Sequence, residues 1–264
     1  MIELICIDVD GTLVGSSGQV AAESWDAAAR ARAHGIRLAI CSGRPSFGVT
    51  RGFAERLDDT GWHIFQNGAS VMRLPGGETR SRALTQTAVV ELVTRARETR
   101  RPLELYSDTE YAIEADVERT RRHASLLGMP WKLRDLLSLR GPVVRGQWLV
   151  PHDEADVVMA EPHDGLTLSH SLSPVMADTS FINITPAGVD KSSAVRLVAA
   201  EYGVPLDHVM MVGDGANDVT ALRIVGVPVA MGNAETVVKA VARYEVADVD
   251  HGGLAEALAL ALTL

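Results

Sequence analysis

The chain has 264 residues, of which 25 are basic and 34 acidic, so its formal net charge at pH 7 is −9. This length suits one large domain or two modest ones. Because 47% of the residues are hydrophobic and 22% are charged, the composition is that of a globular protein and excludes a chain that is mainly disordered. An acidic chain of this kind is not expected to bind nucleic acid.

The sequence predicts no disulfide scaffold, no signal peptide and no membrane span. Its two cysteines, Cys6 and Cys41, lie in apolar runs that are typical of buried strands. The first ten residues lack the basic region and cleavage site of a signal peptide. No stretch approaches the roughly 18–20 apolar residues that a membrane-spanning helix needs. We therefore expect a cytoplasmic protein without a membrane partner.

Strands and helices alternate at the beginning of the chain. The apolar run at residues 2–9 predicts a strand that is buried on both faces, and the alanine-rich segment 22–34 predicts a helix. A second strand is expected at 36–41, a second helix at 46–57 and a third strand at 62–69. This order is typical of parallel strands joined by right-handed crossovers.

The middle of the chain, residues 84–186, has a different pattern. Hairpin-like strand pairs are mixed with helices there, which indicates an α+β module inserted into the α/β domain. The predicted elements are helices at 86–99, 117–127 and 153–161, and strands at 103–107, 111–115, 143–150, 166–171 and 180–185.

The last part of the chain returns to alternating α/β order. We expect helices at 190–203, 219–225 and 253–263, and strands at 209–215 and 227–232. The predicted fold is thus α/β, with a doubly wound, Rossmann-like parallel sheet. Its core would comprise residues 1–83 and 187–264, and residues 84–186 would form a separate α+β domain.

The segment DVDGTL, residues 8–13, carries the strongest chemical signal. Asp8 and Asp10 follow the first predicted strand, and ligands bind beyond the carboxyl ends of strands in open parallel sheets. Two carboxylates this close repel each other unless a cation or a shared proton is present, and Mg²⁺ fits such a site. Taken alone, the segment could also be a simple turn.

Two further segments offer groups that bind anions. Ser42, Gly43 and Arg44 follow the second predicted strand and present a hydroxyl, a backbone amide and a guanidinium. Lys191 begins a predicted helix, where a positive charge is unfavourable against the helix dipole unless an anion is bound. A turn-forming Ser-Gly pair and a surface lysine capped by Asp190 are the alternative interpretations.

A second acidic loop, GDGAND at residues 213–218, follows the strand VMMV. Asp214, Asn217 and Asp218 lie in this loop, which is another way to hold a metal ion. All four segments follow or adjoin elements of the predicted core. We therefore expect them to meet at one edge of one sheet.

Together these segments resemble the motifs of the haloacid dehalogenase superfamily, in particular its Cof-type, sugar-phosphatase-like branch, subfamily IIB. DVDGTL is similar to the first motif, SGR to the second, GVDKSSAV to the lysine motif and GDGAND to the fourth. The segments FQNGA (65–69) and VAMGNA (229–234) also resemble this branch. One departure is VTAL at 219–222, a packing position where the branch usually has Met.

The resemblance implies a role for each candidate residue. Asp8 would be the nucleophile that forms an aspartyl-phosphate, and Asp10 the general acid and base. Asp8, the backbone carbonyl of Asp10, and Asp214 would hold Mg²⁺. The remaining roles would be phosphate binding by Ser42, Gly43, Lys191 and Asn217, orientation of Lys191 or a metal-bound water by Asp218, and substrate contact by Arg44.

The resemblance also implies a Mg²⁺-dependent phosphatase of a small phosphorylated metabolite, with residues 84–186 as a cap that selects the substrate. Structural roles are favoured over substrate contact for the cap residues Tyr106, His163 and His170. The alternatives are a phosphomutase on the same fold and a non-catalytic protein that binds a phosphorylated ligand. A dehalogenase or an ion-pumping ATPase is disfavoured, because each would lack the acid at position 10.

Overall fold

The computed structural model describes residues 1–264, apart from the side chain of Pro174. The strands are β1 (Leu4–Ile7), β2 (Arg37–Ile40), β3 (Trp62–Phe65), β4 (Ser70–Arg73), β5 (Glu78–Thr79), β6 (Leu103–Tyr106), β7 (Tyr111–Ile113), β8 (Arg145–Val150), β9 (Leu166–Ser171), β10 (Ser180–Pro186), β11 (Val209–Gly213), β12 (Val227–Ala230) and β13 (Tyr244–Glu245). The α-helices are α1 (Ala22–Ala33), α2 (Val49–Asp58), α3 (Gln86–Thr99), α4 (Glu118–Leu126), α5 (His152–Ala160), α6 (Lys191–Tyr202), α7 (Val219–Leu222), α8 (Thr236–Lys239) and α9 (Gly253–Ala261).

The first sheet is parallel and has the strand order β13-β12-β11-β1-β2. Side chains of β1 alternate between its two faces. Ile5 and Ile7 pack in a core that includes residues of α1 and α9, whereas Leu4 and Cys6 pack with residues of α6 and α7. Because both faces are covered by helices, the predicted doubly wound α/β core is confirmed.

The second sheet is antiparallel and lies within the segment predicted as an α+β insertion. Its strand order is β7-β6-β8-β10-β9. Apolar residues on one face pack against α3 and α5. The opposite face of its middle strands carries buried polar side chains, among them Glu104, Arg145, Gln147 and Asn183. A sheet with one polar face in the interior needs partners for those groups.

The third strand begins at Trp62, as predicted, but it is shorter than the predicted range 62–69. It ends at Phe65 because Gln66 and Asn67 have φ angles of +53° and +55°, which break the extended conformation. The strand contacts the parallel sheet by a single bridge between Cys41 and Ile64. It pairs with β4, which in turn pairs with β5, in a three-stranded antiparallel sheet. The prediction missed these two strands, although the turn at 75–77, Pro-Gly-Gly, is typical of a hairpin.

Smaller differences concern the last third of the chain. The predicted helix at 219–225 is only the four-residue α7, and Ala221 and Leu222 pack in the core there. The short elements α8 and β13 were not predicted. Each is too short to show a hydrophobic period. None of the described helices in residues 1–264 combines the length and apolar character that crossing a bilayer requires.

A buried histidine makes the stability of the core depend on pH. His63 accepts the N–H of Ile40 at Nδ1 (3.1 Å), and its Nε2 lies 2.8 Å from the carbonyl oxygen of Asp58, so the ring is neutral with its proton on Nε2. Burial lowers the pKa of His63 to about 4. The unfolded chain therefore binds the extra proton first as the pH falls, and stability is lost between the unfolded value of about 6.5 and about 4.

We expect the free energy of unfolding to fall by up to about 1.4 kcal/mol per pH unit from this residue within that window. The measurement is urea unfolding of the wild type and of His63→Gln at several pH values from 4.5 to 7. The variant should show a shallower pH dependence, because it has no imidazole to protonate. Equal slopes for the two proteins would contradict the assignment of a neutral, buried His63.

Candidate active site

Three carboxylates meet where strands of the parallel sheet end. Asp8 follows β1, and Asp214 follows the neighbouring strand β11, while Asp218 comes from the turn after it. One carboxylate oxygen of each residue lies within 4.8 Å of the others. Parallel pairing produces this cluster, because it brings the carboxyl ends of both strands to the same edge.

Lys191 reaches the same place from the first turn of α6. Its Nζ donates to Oδ1 of Asp8 at 2.6 Å and to Oδ1 of Asp218 at 2.5 Å, and the residue is only 1% exposed. Asp190 does cap the helix, accepting the N–H of Ser193 at 2.8 Å. The interpretation of Lys191 as a surface lysine is nevertheless wrong, since its charge is buried between two carboxylates.

Asp218 holds Lys191 and the acidic loop together. While its Oδ1 accepts from Lys191, its Oδ2 accepts the backbone N–H groups of Asp214 and Gly215, both at 3.1 Å. Both oxygens are thus occupied by donors from this chain. Of the two roles open to Asp218 from the sequence, orientation of Lys191 is the one that these contacts favour.

The cluster carries more negative than positive charge. Burial raises the pKa of Asp8 to about 7, and repulsion from Asp218 adds to the effect. Burial likewise raises the pKa of Asp214 to about 8, with a contribution from Asp8. For Lys191, burial opposes the charged form, but Asp218 and Asp8 outweigh it and raise its pKa. A further cation would relieve the repulsion between the carboxylates.

The residues present fit a divalent metal ion. Asp8 and Asp214 offer oxygen donors, which hard cations prefer, and the backbone carbonyl of Asp10 is in the same loop as Asp8. The side chain of Asp214 is fixed by the hydroxyl of Thr12, which donates to its Oδ1 at 3.0 Å. Gly11 has a φ of +80°, and a Cβ there would lie 2.1 Å from Oδ2 of Asp214. Only glycine leaves room for this carboxylate.

Asp10 is not a member of the carboxylate cluster and is paired with Arg44. The guanidinium donates to Oδ2 of Asp10 from Nε at 2.9 Å and to Oδ1 from Nη2 at 2.6 Å. Asp10 has a side chain that is 54% exposed, whereas that of Arg44 is 10% exposed. The predicted substrate contact, Arg44, is therefore engaged by the predicted acid, and such a two-bond pair fixes the orientation of both groups.

Three of the four predicted phosphate-binding residues lie around a buried asparagine, Asn67. Ser42 is fully buried, and its Oγ accepts the N–H of Arg44 at 3.1 Å. A Cβ on Gly43 would lie 3.2 Å from Oδ1 of Asn67, so the bare backbone allows the two loops to approach. Asn217 donates to the same oxygen of Asn67 at 3.0 Å. Ser42, Gly43 and Asn217 thus lie around Asn67, at the same edge of the sheet as the acidic cluster.

Four residues of the site were not singled out from the sequence. Thr12 and Asn67 lie in motifs that were recognised, but nothing in the sequence says which partners they contact. Asn233 donates to the carbonyl oxygen of Gly11 at 2.8 Å and to Oδ2 of Asp214 at 3.4 Å. Arg145 comes from the inserted segment and donates to the carbonyl oxygen of Gly43 at 2.7 Å. Its signal in the sequence was a charged residue within a mostly apolar predicted strand.

The three candidate cap residues occupy different environments. Tyr106 is buried and donates to Glu104 at 2.5 Å. His163 lies 2.6 Å from the carbonyl oxygen of Glu161 and beside Arg95, both outside the acidic cluster. His170 is exposed on β9. The contacts of Tyr106 and His163 favour structural roles.

The sequence profile of the family described as haloacid dehalogenase-like hydrolase matches residues 5–258. The chain belongs to this family. Its relatives include two proteins of Bacillus subtilis, and the chain aligns with both almost from end to end. It is 28% identical to phosphatase YwpJ, covering 96% of this chain and 97% of the relative. It is 25% identical to the 5-amino-6-(5-phospho-D-ribitylamino)uracil phosphatase YcsE, covering 97% and 94%.

Solved structures of the family have the same fold over the whole chain. A haloacid dehalogenase-like hydrolase from Bacteroides thetaiotaomicron superposes with a TM-score of 0.85 at 26% identity, covering 98% of this chain and 99% of that one. The subclass IIB sugar phosphatase BT4131 superposes with a TM-score of 0.84 at 22% identity, covering 99% and 100%. The predicted membership of the Cof-type branch is confirmed, and this haloacid dehalogenase-like hydrolase is a phosphatase.

Proposed function

We propose that this hydrolase is a Mg²⁺-dependent phosphatase that acts on a small phosphorylated metabolite through an aspartyl-phosphate on Asp8. The observation that carries the proposal is the buried contact between Asp8 and Lys191, 2.6 Å long, next to Asp214. A carboxylate held there by a cation is placed to approach a phosphoryl group whose charge the same cation offsets.

In the first step, a carboxylate oxygen of Asp8 forms a bond to phosphorus, and the bond from phosphorus to the alcohol oxygen of the substrate breaks. Asp10 donates a proton to that leaving oxygen. Lys191, the hydroxyl of Ser42 and the N–H of Gly43 donate to the oxygens of the phosphoryl group. Asp8, Asp214 and the backbone carbonyl of Asp10 would hold a metal ion, which would offset the negative charge of the carboxylate and the phosphate.

In the second step, Asp10 accepts a proton from water as the water oxygen bonds to phosphorus. The bond between phosphorus and Asp8 then breaks, which releases inorganic phosphate and restores both carboxyl groups. Asp10 must leave Arg44 to perform either transfer. Its exposed side chain, 54% accessible, leaves room for this rotation. Arg44 would then be free to contact the substrate, as the sequence interpretation suggested.

The substrate class is inferred from the proteins that this chain resembles. A sugar phosphate is favoured by the likeness to the sugar phosphatase BT4131, and YcsE is named for a phosphorylated ribityl compound.

We propose that residues 1–83 and 187–264 form the catalytic core and that residues 84–186 form the cap. All the predicted catalytic residues lie outside the second range, whereas Arg145 within it reaches Gly43. The cytoplasmic location stays a prediction.

A phosphate-release assay tests this function against its alternatives. Purified protein with Mg²⁺ should release inorganic phosphate from members of a panel of sugar phosphates and other phosphorylated metabolites. A phosphomutase would instead yield an isomer with its phosphate retained, which separation of the sugar phosphates detects. Binding without either product would indicate a non-catalytic protein and would refute the proposal.

Metal removal should abolish activity. We expect EDTA to stop phosphate release and added Mg²⁺ to restore it, whereas Ca²⁺ should substitute poorly because it prefers longer bonds and higher coordination. Mg²⁺ should also raise the melting temperature of the wild type, since it binds only the folded cluster.

Two variants locate the metal. Asp214→Asn should need a higher Mg²⁺ concentration both for activity and for the increase in melting temperature. Asp164→Asn, which changes an exposed carboxylate of the inserted segment, should behave like the wild type. Full activity of the wild type in metal-free buffer would exclude the proposed metal site.

A further inference from the structure

A buried arginine of the inserted segment lies against the loop that contains the predicted phosphate-binding residues. Arg145 begins β8 and is only 2% exposed. Its Nη1 donates to the carbonyl oxygen of Gly43 at 2.7 Å and to Oδ1 of Asn183, on the neighbouring strand β10, at 2.9 Å. Arg145 is therefore held at the contact between the antiparallel sheet and the loop after β2.

The guanidinium of Arg145 is supported by an aromatic ring. It lies 4.3 Å from the centroid of the Tyr106 ring, and Tyr106 in turn donates to Glu104 at 2.5 Å. Cation–π contact of this kind orients a guanidinium without neutralising it. Asn183 is also fixed, because its Nδ2 donates to Ser171 at 3.1 Å. These contacts thus leave the guanidinium of Arg145 little freedom to rotate.

No carboxylate among the described residues forms an ion pair with Arg145, and the buried Glu104 on the same face of the sheet bonds instead to Tyr106 and His123. Both hydrogen bonds described for the guanidinium come from Nη1 and go to uncharged oxygens, and Nε is buried without an acceptor among the described residues. Burial lowers the pKa of Arg145, while Tyr106 and Glu104 oppose this effect. A buried cation is costly unless an anion compensates for it.

Two amide oxygens near Arg145 are buried without a hydrogen-bond donor in the part of the chain that the structure describes. Gln147 follows Arg145 by two residues in β8 and therefore lies on the same face of the sheet, where it pairs with Asn183 of β10. Its Oε1 is buried without a donor among the described residues. From the core, Gln66 donates from Nε2 to the carbonyl oxygen of Ser107, the residue after Tyr106, and its Oε1 is likewise buried without a donor among the described residues. A guanidinium with free N–H groups beside amide oxygens suits a ligand that carries both an anionic group and hydroxyl groups.

We propose that Arg145 binds a second anionic group, a carboxylate or a second phosphate, on the alcohol part of the substrate. This inference rests on the proposed function and narrows its substrate class to phosphate esters with an anionic leaving group. Asn183 acts as a positioning residue for the guanidinium. In the proposed mechanism, the phosphoryl group to be transferred is bound separately, by Lys191 of α6 and Ser42 of the loop after β2.

Matched substrate pairs test this assignment in the wild type. 6-Phosphogluconate differs from glucose 6-phosphate by a carboxylate, and fructose 1,6-bisphosphate differs from fructose 6-phosphate by a phosphate. In each pair with measurable turnover, kcat/KM should be at least about 10-fold higher for the doubly anionic compound, the scale of one charge-assisted hydrogen bond. The pair with the larger ratio distinguishes a carboxylate from a phosphate as the second group.

Variants then assign the preference to Arg145. In Arg145→Met, kcat/KM for the doubly anionic compound should fall by about 10- to 100-fold, and that for its singly anionic match by much less. Arg145→Lys, which keeps the charge but loses the planar fork, should lie between the two. Arg140→Met, which removes an exposed arginine of the same segment, should leave both values unchanged. Calorimetric binding of each pair to Asp8→Asn gives a second measure that does not depend on turnover.

The outcomes are distinguishable. No phosphate release from any ester, including p-nitrophenyl phosphate, would refute the proposed function itself. Phosphate release with equal kcat/KM and equal affinity within both pairs would overturn the inference and leave the function standing. An equal loss for all esters in a folded Arg145→Met would mean that Arg145 serves the phosphoryl group or the structure alone. Should this variant not fold, the comparison of pairs in the wild type decides.

Discussion

Replacing Asp8 by asparagine is expected to abolish phosphate release while leaving the protein folded. The amide has nearly the same shape as the carboxylate but cannot act as an anionic nucleophile. We therefore expect kcat to fall by on the order of 10³-fold or more, as when other enzymes lose their nucleophile. The metal-free variant should be at least as stable as the wild type. Burial and repulsion from Asp218 outweigh the contact with Lys191 and raise the pKa of Asp8 to about 7, and Lys191 keeps Asp218 as its partner in the variant.

The measurement combines phosphate release with thermal unfolding in EDTA. Asp10→Asn serves as the matched comparison, since it removes a carboxyl group from the same loop but leaves the nucleophile in place. That variant should retain more activity on p-nitrophenyl phosphate than on an alkyl phosphate, because a nitrophenolate leaves without a proton. Substantial turnover by a folded Asp8→Asn variant would disprove its role as the nucleophile.

Replacing Lys191 by methionine should have the largest effect on stability. Its ammonium lies between Asp8 and Asp218, and both contacts are buried. Removing one member of a buried ion pair typically costs about 3–5 kcal/mol, because the remaining charges are left without a partner. Activity should be lost as well, since Lys191 offsets the charge of the phosphoryl group in the proposed mechanism.

The loss of stability in Lys191→Met should depend on pH, because the pKa values of Asp8, about 7, and Asp214, about 8, are raised. Between the ordinary value near 4 and these values, the folded state binds more protons than the unfolded state, so these groups make stability fall as the pH rises. Without Lys191, which lowers both pKa values, the fall should continue to a higher pH. The free energy of unfolding of Lys191→Met should therefore lie further below that of the wild type at pH 9 than at pH 6, and Mg²⁺ should reduce this difference.

Urea unfolding in EDTA at the two pH values measures this difference in the free energy of unfolding. Lys132→Met is the control, because Lys132 is exposed and its removal should change the free energy of unfolding by less than about 1 kcal/mol. If Lys191→Met were as stable as that control at pH 9, the interpretation of the cluster as a set of charges held together by Lys191 would be wrong.

The site could be predicted in outline because its motifs follow the strands of a parallel sheet. Asp8 and Asp214 each come directly after an apolar run, and neighbouring parallel strands end at the same edge. The polar segments could therefore be expected to converge before any contact was known. The fold of the core was predictable for the same reason, since continuous apolar strands alternate with helices of clear period. The hairpin of β4 and β5 was missed because those strands are short.

The sequence by itself determined the α/β core, the family and most of the residues that meet at the site. Only the tertiary structure decided that Lys191 is buried between Asp8 and Asp218, that Asp10 is held by Arg44, and that Arg145 reaches Gly43. Each of these contacts joins residues at least 27 positions apart in the chain. The physical reason is that periodicity and turn residues report which face a side chain takes within its own element, whereas a partner on another element, and the burial that sets its charge, depends on how the elements pack.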